Sequence, residues 1–233
     1  MPTISQDEFD IDKLEVPGYF PFYAYRHPEV IRHFNGLGPV LALSRGHVLR
    51  AKGVTRHCYL VLSGMMSGTL HGADDFACQS AYFLEGSLLL EPSALSGMPA
   101  NVAFKANMPT KLMRIESSVL RQAMAEREEI FDAVTMSITA KLNSAHERLR
   151  ETMKLDIRTR IYFMLIGIAA TCGERMGDGW HKLTFKVTQQ QMSAMLGVNR
   201  VTVNTALQNL YDKGIVRKDS GYYHVLDAKG MLA

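Results

Sequence analysis

The sequence predicts an α+β chain in three parts: a β-rich first half, one long helix, and a small C-terminal domain built on a helix–turn–helix. Three observations carry this prediction. Short apolar runs punctuated by glycines fill residues 40–115. A heptad-like apolar seam follows over residues 131–152, and two short helical patterns flank Gly197 before a β-hairpin signal. Strands at spacings of roughly 8–12 residues suit small barrels and sandwiches, whereas steps of three and four define a helix.

Residues 1–40 are a polar lead and then an aromatic, proline-rich segment, with Glu29–Phe34 read as a short helix. From Val40 the runs VLALS, HVLRAKG, CYLVLSG, MMSGTLHG, FACQSAYFLEG and KLMRI read as strands, with turns at Gly46, Gly53, Gly64, Gly72 and Gly86. From Ser117 the pattern becomes helical. Phe131, Thr135, Ile138, Leu142, Ala145, Leu149 and Thr152 form a seam between charged flanks, the pattern of a two-stranded coiled coil and so of a homodimer. Asp156 opens the next helix, whose apolar face is Ile157, Ile161, Leu165 and Ile168; the following GERMGDGWHK reads as a connector in which Trp180 packs.

Gln190–Leu196 is a short helix with Met192, Met195 and Leu196 on one face, and Gly197 can end it in a left-handed conformation. Asn199 is a good N-cap for a second helix, in which Val203, Ala206, Leu207 and Leu210 repeat at helical spacing. The other face carries Arg200, Val201, Asn204, Thr205 and Gln208. Arg can pair with guanine, Asn and Gln with adenine, and a Val or Thr methyl can touch thymine, so this face suits a DNA major groove. Ile215–Lys218 and Tyr222–Leu226, joined at Asp219-Ser220-Gly221, complete a winged helix.

Composition agrees. Residues 156–233 hold ten Lys/Arg against six Asp/Glu, while the whole chain is +3, so the basic excess lies with the reading helix. Three cysteines, Cys58, Cys78 and Cys172, without CxxC spacing argue against a disulfide framework or a structural zinc, and for a reducing cytoplasm. The acidic N-terminus lacks a signal-peptide core, and no apolar run reaches the ~18 residues a membrane span needs. No GxSxG elbow, HExxH or phosphate loop stands in its required context, so no enzyme activity is expected.

The stretches LDIRTRI, VTQQQMSAMLGVNRVTVNTALQNL and RGHVLRAKGVTRHCYLVLSGMMSGTL resemble the CRP/FNR transcription regulators, which include the cyclic-AMP receptor and the fumarate–nitrate regulator. The resemblance covers the chain in order. It implies an N-terminal double-stranded β-roll sensor domain with an N-terminal extension (residues 1–116), a helix pair including the dimerisation helix (117–154), and a winged helix–turn–helix DNA-binding domain (155–233). It also implies double-stranded DNA, a second copy of the chain and RNA polymerase as partners, with Lys154–Asp156 as the hinge.

Cyclic-nucleotide binders of the family use a Gly-Glu pair for the ribose and an Arg-Ser pair for the phosphate. Here those positions are Leu90-Glu91 and Ala100-Asn101, and the dimer-helix residues facing adenine become Ala145 and His146, which argues against cyclic AMP. Residues 1–57 contain no cysteine for an iron–sulfur cluster. Haem is a weaker alternative: Pro2, His47, His57, His71 and Cys78 are available, but Leu88-Leu89-Leu90-Glu91 stands where that branch places its Cys and His. The expected effector is a small apolar or aromatic molecule at Leu89, Leu90, Glu91, Lys141, Ala145 and His146, with Lys141 or His146 meeting an acidic group, as in the branch that senses haloaromatic acids. Expected DNA contacts are Thr188, Gln189 and Gln190 to phosphates, and Asn199, Arg200, Val201, Thr202, Asn204, Thr205 and Lys218 along the reading helix and wing. Arg200 matches the family's guanine reader. Val201 and Thr205 replace a common Glu and Arg, so the inner half-site should differ.

Overall fold

The computed structural model describes residues 27–72 and 77–232, in two compact units divided between Asn143 and Ser144. The expectations that fall on residues 1–26, Pro2 among them, lie outside the described residues.

In the first unit a 3₁₀ turn at Pro28–Val30 leads into α1 (Ile31–Phe34), where the short helix was expected. Eight strands follow: β1 (Val40–Leu43), β2 (Val48–Gly53), β3 (His57–Ser63), β4 (Met66–His71), β5 (Ala77–Phe83), β6 (Leu88–Leu89), β7 (Ala100–Ala106) and β8 (Thr110–Glu116). They form two antiparallel four-stranded sheets, ordered β1-β8-β3-β6 and β2-β7-β4-β5, the all-β arrangement expected from the glycine spacing and the roll that the family resemblance implied. Gly64 and Gly86 show why glycine is needed at corners. Both have positive φ, and a Cβ would fall 2.6 Å from the Pro109 carbonyl oxygen at the first and 2.0 Å from that of His27 at the second.

One helix inside the roll has no periodic signal. Between β6 and β7 the apolar loop forms α2 (Glu91–Ser96), only six residues long and therefore too short to show a stripe. Two further helices follow, α3 (Ser117–Glu126) and α4 (Glu128–Lys154). Leu120, Ala123, Ile130 and Val134 of these helices pack with Cys58, Leu60, Met113 and Ile115 of the sheet, forming the core of this unit.

The stripe of α4 that is buried is not the predicted seam. Ile130, Val134, Ser137, Ala140, Ser144 and Glu151 are buried. Phe131, Leu142 and Leu149 are 51%, 53% and 61% exposed, with Thr135, Ala145 and Thr152 exposed beside them and Ile138 half-buried. The helix thus has two apolar faces, and a single chain covers only one.

In the second unit α5 (Ile157–Cys172) starts at Asp156, whose carboxylate accepts from the backbone N–H groups of Arg158 and Thr159 at 2.8 and 3.2 Å. The expected one-sided face proves too narrow: every residue from Ile161 to Ala169 is buried, while Ile157 is only half-buried. A helix apolar all round is a central helix. The expected connector is also a β-hairpin, β9 (Gly173–Arg175) and β10 (Trp180–Leu183), turning at Asp178 and Gly179, both with positive φ. Its strands are too short to alternate visibly. Then come α6 (Gln189–Leu196), α7 (Arg200–Asp212), β11 (Val216–Asp219) and β12 (Tyr222–Leu226). The sheet order β11-β12-β10-β9 makes the wing half of a four-stranded sheet, and Ser220 and Gly221 close its two-residue turn with positive φ.

Candidate nucleic-acid interface and effector region

Local chemistry fixes the helix–turn–helix. Thr188 caps α6 with a full capping box: its Oγ1 accepts from Gln191 N at 3.1 Å, and Gln191 Oε1 accepts from Thr188 N at 2.8 Å. Gly197, at φ 67°, ends α6 in the left-handed region. Asn199 then caps α7, its Oδ1 accepting from Thr202 N at 2.8 Å and from Thr202 Oγ1 at 3.0 Å. Two guanidinium groups hold the C-terminal end of α6. Arg148 Nη2 donates to the Met195 carbonyl at 3.1 Å, and Arg160 Nη2 donates to that of Leu196 at 2.8 Å. Between these arginines lies Glu151, 1% exposed, neither of whose carboxylate oxygens has a hydrogen-bond partner. Burial outweighs the arginine charges and pushes its carboxyl up to about 8.

Val203, Ala206, Leu207 and Leu210 of α7 are buried, whereas Arg200, Val201, Asn204, Thr205 and Gln208 are exposed. The predicted reading face is thus intact, with Val201 75% exposed at its start. The structure refines four of the expected contacts. Thr188, Asn199 and Thr202 spend side-chain oxygens on capping, so what they present outward is mainly backbone. Gln189 does not project freely: its Nε2 donates to Asn204 Oδ1 at 3.0 Å.

The wing carries more cations than the single Lys218 that the sequence pointed to. Lys218 Nζ lies 4.8 Å from the Tyr223 ring centroid, while Lys182 and Lys186 lie 5.1 and 5.2 Å from that of Tyr222. The Arg217 guanidinium stacks 4.2 Å from the Trp180 ring, so Trp180 packs, as expected, but as a platform for a cation. Arg217 lies in the Ile215–Lys218 run that the sequence already gave to the wing, whereas Lys182 and Lys186 could have been found only by knowing that β10 and the segment after it lie beside Tyr222.

In the first unit the expected effector residues do not form one open surface. Leu89, Leu90 and Glu91 are buried. The Glu91 carboxylate is wholly buried and is bound by Lys141 Nζ and by Ser137 Oγ, the latter at 2.8 Å; Lys141 Nζ also donates to the Leu88 carbonyl at 2.9 Å. Lys141, with its side chain 22% exposed, is therefore already paired as the counter-ion of Glu91 rather than standing as an unpaired cation at the helix flank. Leu90 takes a left-handed φ of 66°, which a glycine would adopt freely. Such strain is worth roughly 1–2 kcal/mol in a non-glycine residue, and burial of the leucine side chain offsets it. Ala145 and His146 are exposed in the second unit. The cation missing from Ala100-Asn101 is present next door: Lys52 of β2 is the register partner of Asn101, whose Nδ2 donates to the His71 carbonyl at 2.8 Å. Among the described residues no three His, Cys, Asp or Glu side chains gather to hold a metal ion, and no helix is long and apolar enough to cross a membrane.

Residues 159–233 match the family of Crp-like helix-turn-helix domains. The chain is 22% identical over 186 residues to a CRP-like cAMP-activated global transcriptional regulator of Mycobacterium tuberculosis, covering 79% of this chain and 83% of that protein. Its fold is similar to that of CprK complexed with OCPA (TM-score 0.70, 18% identity, 91% of this chain and 97% of that one). It is also similar to FixK2 from Bradyrhizobium japonicum (TM-score 0.67, 16% identity, 83% of this chain and 94% of that one).

Proposed function

We propose that this chain, a CRP/FNR-family transcription regulator, acts as a homodimer that reads an inverted-repeat operator through α7 and responds to a small apolar or aromatic effector rather than to cyclic AMP. The observation that carries the reading is the two-sided character of α7. Its apolar stripe is spent on the core, and what remains outward is an Arg, Asn, Thr and Gln face with an exposed valine.

The exposed seam of α4 supports the dimer. Phe131, Leu142 and Leu149 are left to water in one chain and would be covered by the same helix of a second copy. Two copies then present two α7 helices, which call for half-sites about one helical turn apart. The wing cations, Lys182, Lys186, Arg217 and Lys218, are held on aromatic rings at positions suited to neighbouring phosphates.

The curated relative is named for activation by cyclic AMP. In this chain Ser137 and Lys141 both hold Oε1 of a wholly buried Glu91 carboxylate, and the Gly-Glu and Arg-Ser pairs of the family's cyclic-nucleotide binders are replaced by Leu90-Glu91 and Ala100-Asn101, which leaves no cation at the phosphate position. CprK was solved with OCPA bound; an organic ligand of that kind is the model for the effector class proposed here. Fluorescence anisotropy on the DNA upstream of the gene, at several salt concentrations, tests the reading. Specific binding with a steep salt slope, strengthened by aromatic acids and indifferent to cyclic AMP, is the expected result. Salt-insensitive, sequence-indifferent binding under every condition would refute it.

A further inference from the structure

The first unit contains a hollow that neither the DNA-reading face nor the Glu91–Lys141 pair uses. It opens where the end of β2, the β2–β3 turn and the start of β3 meet β8, and measures about 440 Å³. That is the size range of small-ligand sites. Four cationic side chains line it: Arg50, Lys52, Arg56 and Arg114. Among the described residues the lining holds one acid, Glu116, which already accepts from Arg114 Nη2 at 2.9 Å. Three positive charges are therefore left without a carboxylate in the lining.

Two buried polar atoms of the same lining lack partners, Arg114 Nε and Thr55 Oγ1. A polar atom shielded from water without a partner costs free energy, so these two residues of the lining are not fully satisfied by the protein alone. The remaining walls suit the body of a small organic molecule. His57 and Tyr59 meet edge to face with centroids 5.2 Å apart, beside Leu49 and Leu90. Burial, and then the Arg114 charge, hold the His57 imidazole below its ordinary range, so the positive charge belongs to the arginines and the lysine.

We infer that this hollow is a binding site for a small dianionic ligand, a phosphate monoester or a dicarboxylate, gripped by Arg56, Lys52 and Arg114 with its carbon skeleton against Leu49 and Tyr59. The guanidinium fork matches planar carboxylate and tetrahedral phosphate oxygens alike, and a dianion satisfies more of the uncompensated charge than a monoanion does. The inference goes beyond the DNA-binding reading and does not depend on it.

Isothermal titration of the full-length protein decides it, with inorganic phosphate, phenyl phosphate and succinate as probes at matched ionic strength, and sodium chloride as the blank. Saturable binding of at least one dianion is expected, weakened at least tenfold in Lys52→Ala and in Arg56→Ala. Both residues are exposed, so neither variant should lose the fold. Arg45→Ala, an exposed cation outside the hollow, should bind as the unaltered protein does. The phosphate and succinate arms separate the two ligand sources. Absence of saturable binding for all three probes, or equal affinity in Lys52→Ala, Arg56→Ala and the unaltered protein, overturns the assignment.

Discussion

The Gln189 side chain donates its Nε2–H to Asn204 Oδ1 at 3.0 Å, joining the first turn of α6 to the outer face of α7. Asn204 was expected to read an adenine by itself, which needs its oxygen and its nitrogen together. With that oxygen engaged, the pair offers adenine a composite edge: a donor from Asn204 Nδ2 and an acceptor from Gln189 Oε1. Gln189→Ala and Asn204→Ala should therefore relax the same operator position, and the double variant should cost little more than either single one. A double-mutant cycle of binding free energies over operator variants measures this. Additive losses at different positions would show that the two residues act separately.

Arg200 begins α7, exposed and outside the capping network. Arg200→Ala should cost about 1–3 kcal/mol and relax one base pair per half-site. Lys186→Ala, on the wing, should instead weaken all sequences alike and lower the salt slope by about 1. Competition anisotropy against single-base operator variants distinguishes the two patterns.

Leu142 and Leu149 stand exposed on α4, on a stripe beside the buried one that carries Ile130 and Val134. Burying a leucine side chain contributes roughly 1.5–3 kcal/mol, and a two-fold seam uses each position twice. Leu142→Asp with Leu149→Asp should give a folded monomer in analytical ultracentrifugation, with the helical signal of each chain kept. A dimer of unchanged affinity would place the interface elsewhere.

Lys141→Ala should damage the fold before it affects a ligand, because it leaves the wholly buried Glu91 without its counter-ion. Breaking a buried pair costs about 3–5 kcal/mol, whereas removing both charges can be nearly neutral. Urea unfolding should accordingly rank Lys141→Met well below Lys141→Met combined with Glu91→Gln. Equal stabilities would contradict this ranking.

Glu151 gives the second unit a pH dependence whose sign can be worked out. Burial raises its carboxyl to about 8, so the folded chain keeps a proton that the unfolded chain gives up above its ordinary range. Below that range both states are protonated and the folded state carries no penalty. Stability then falls as pH rises towards 8 and levels off above it. Glu151→Gln should thus be more stable than the unaltered protein at pH 8, by at least about 1 kcal/mol given ~1.4 kcal/mol per unit. The difference should vanish towards pH 4.5. Thermal unfolding across that range reads it directly, and a gap that widens on acidification would contradict it.

The sequence by itself determined the elements whose signals are local and repeated. Most of the strands and their glycine corners, the Asn199 cap, Gly197 and the Ser220-Gly221 turn follow from spacing or from the backbone chemistry of single residues, whereas the Thr188 capping box, which starts its helix one residue earlier than expected, was not foreseen. The reading face of α7 was legible for the same reason, since a helical period sorts its residues into buried and outward sets. Tertiary structure decided what depends on residues far apart in the chain. Period alone does not say that α4 buries Ile130 and Val134 while leaving Leu142 and Leu149 open, nor that α5 is covered on every side. Strands as short as β9 and β10 acquire meaning only when β12 pairs with β10, bringing Lys182 and Lys186 to Tyr222 of the wing. Lys141 meets Glu91 across 50 residues and Gln189 meets Asn204 across 15, and each meeting changed the role its residues had been given. A side chain's chemistry is written in the sequence, but its partner is chosen by packing.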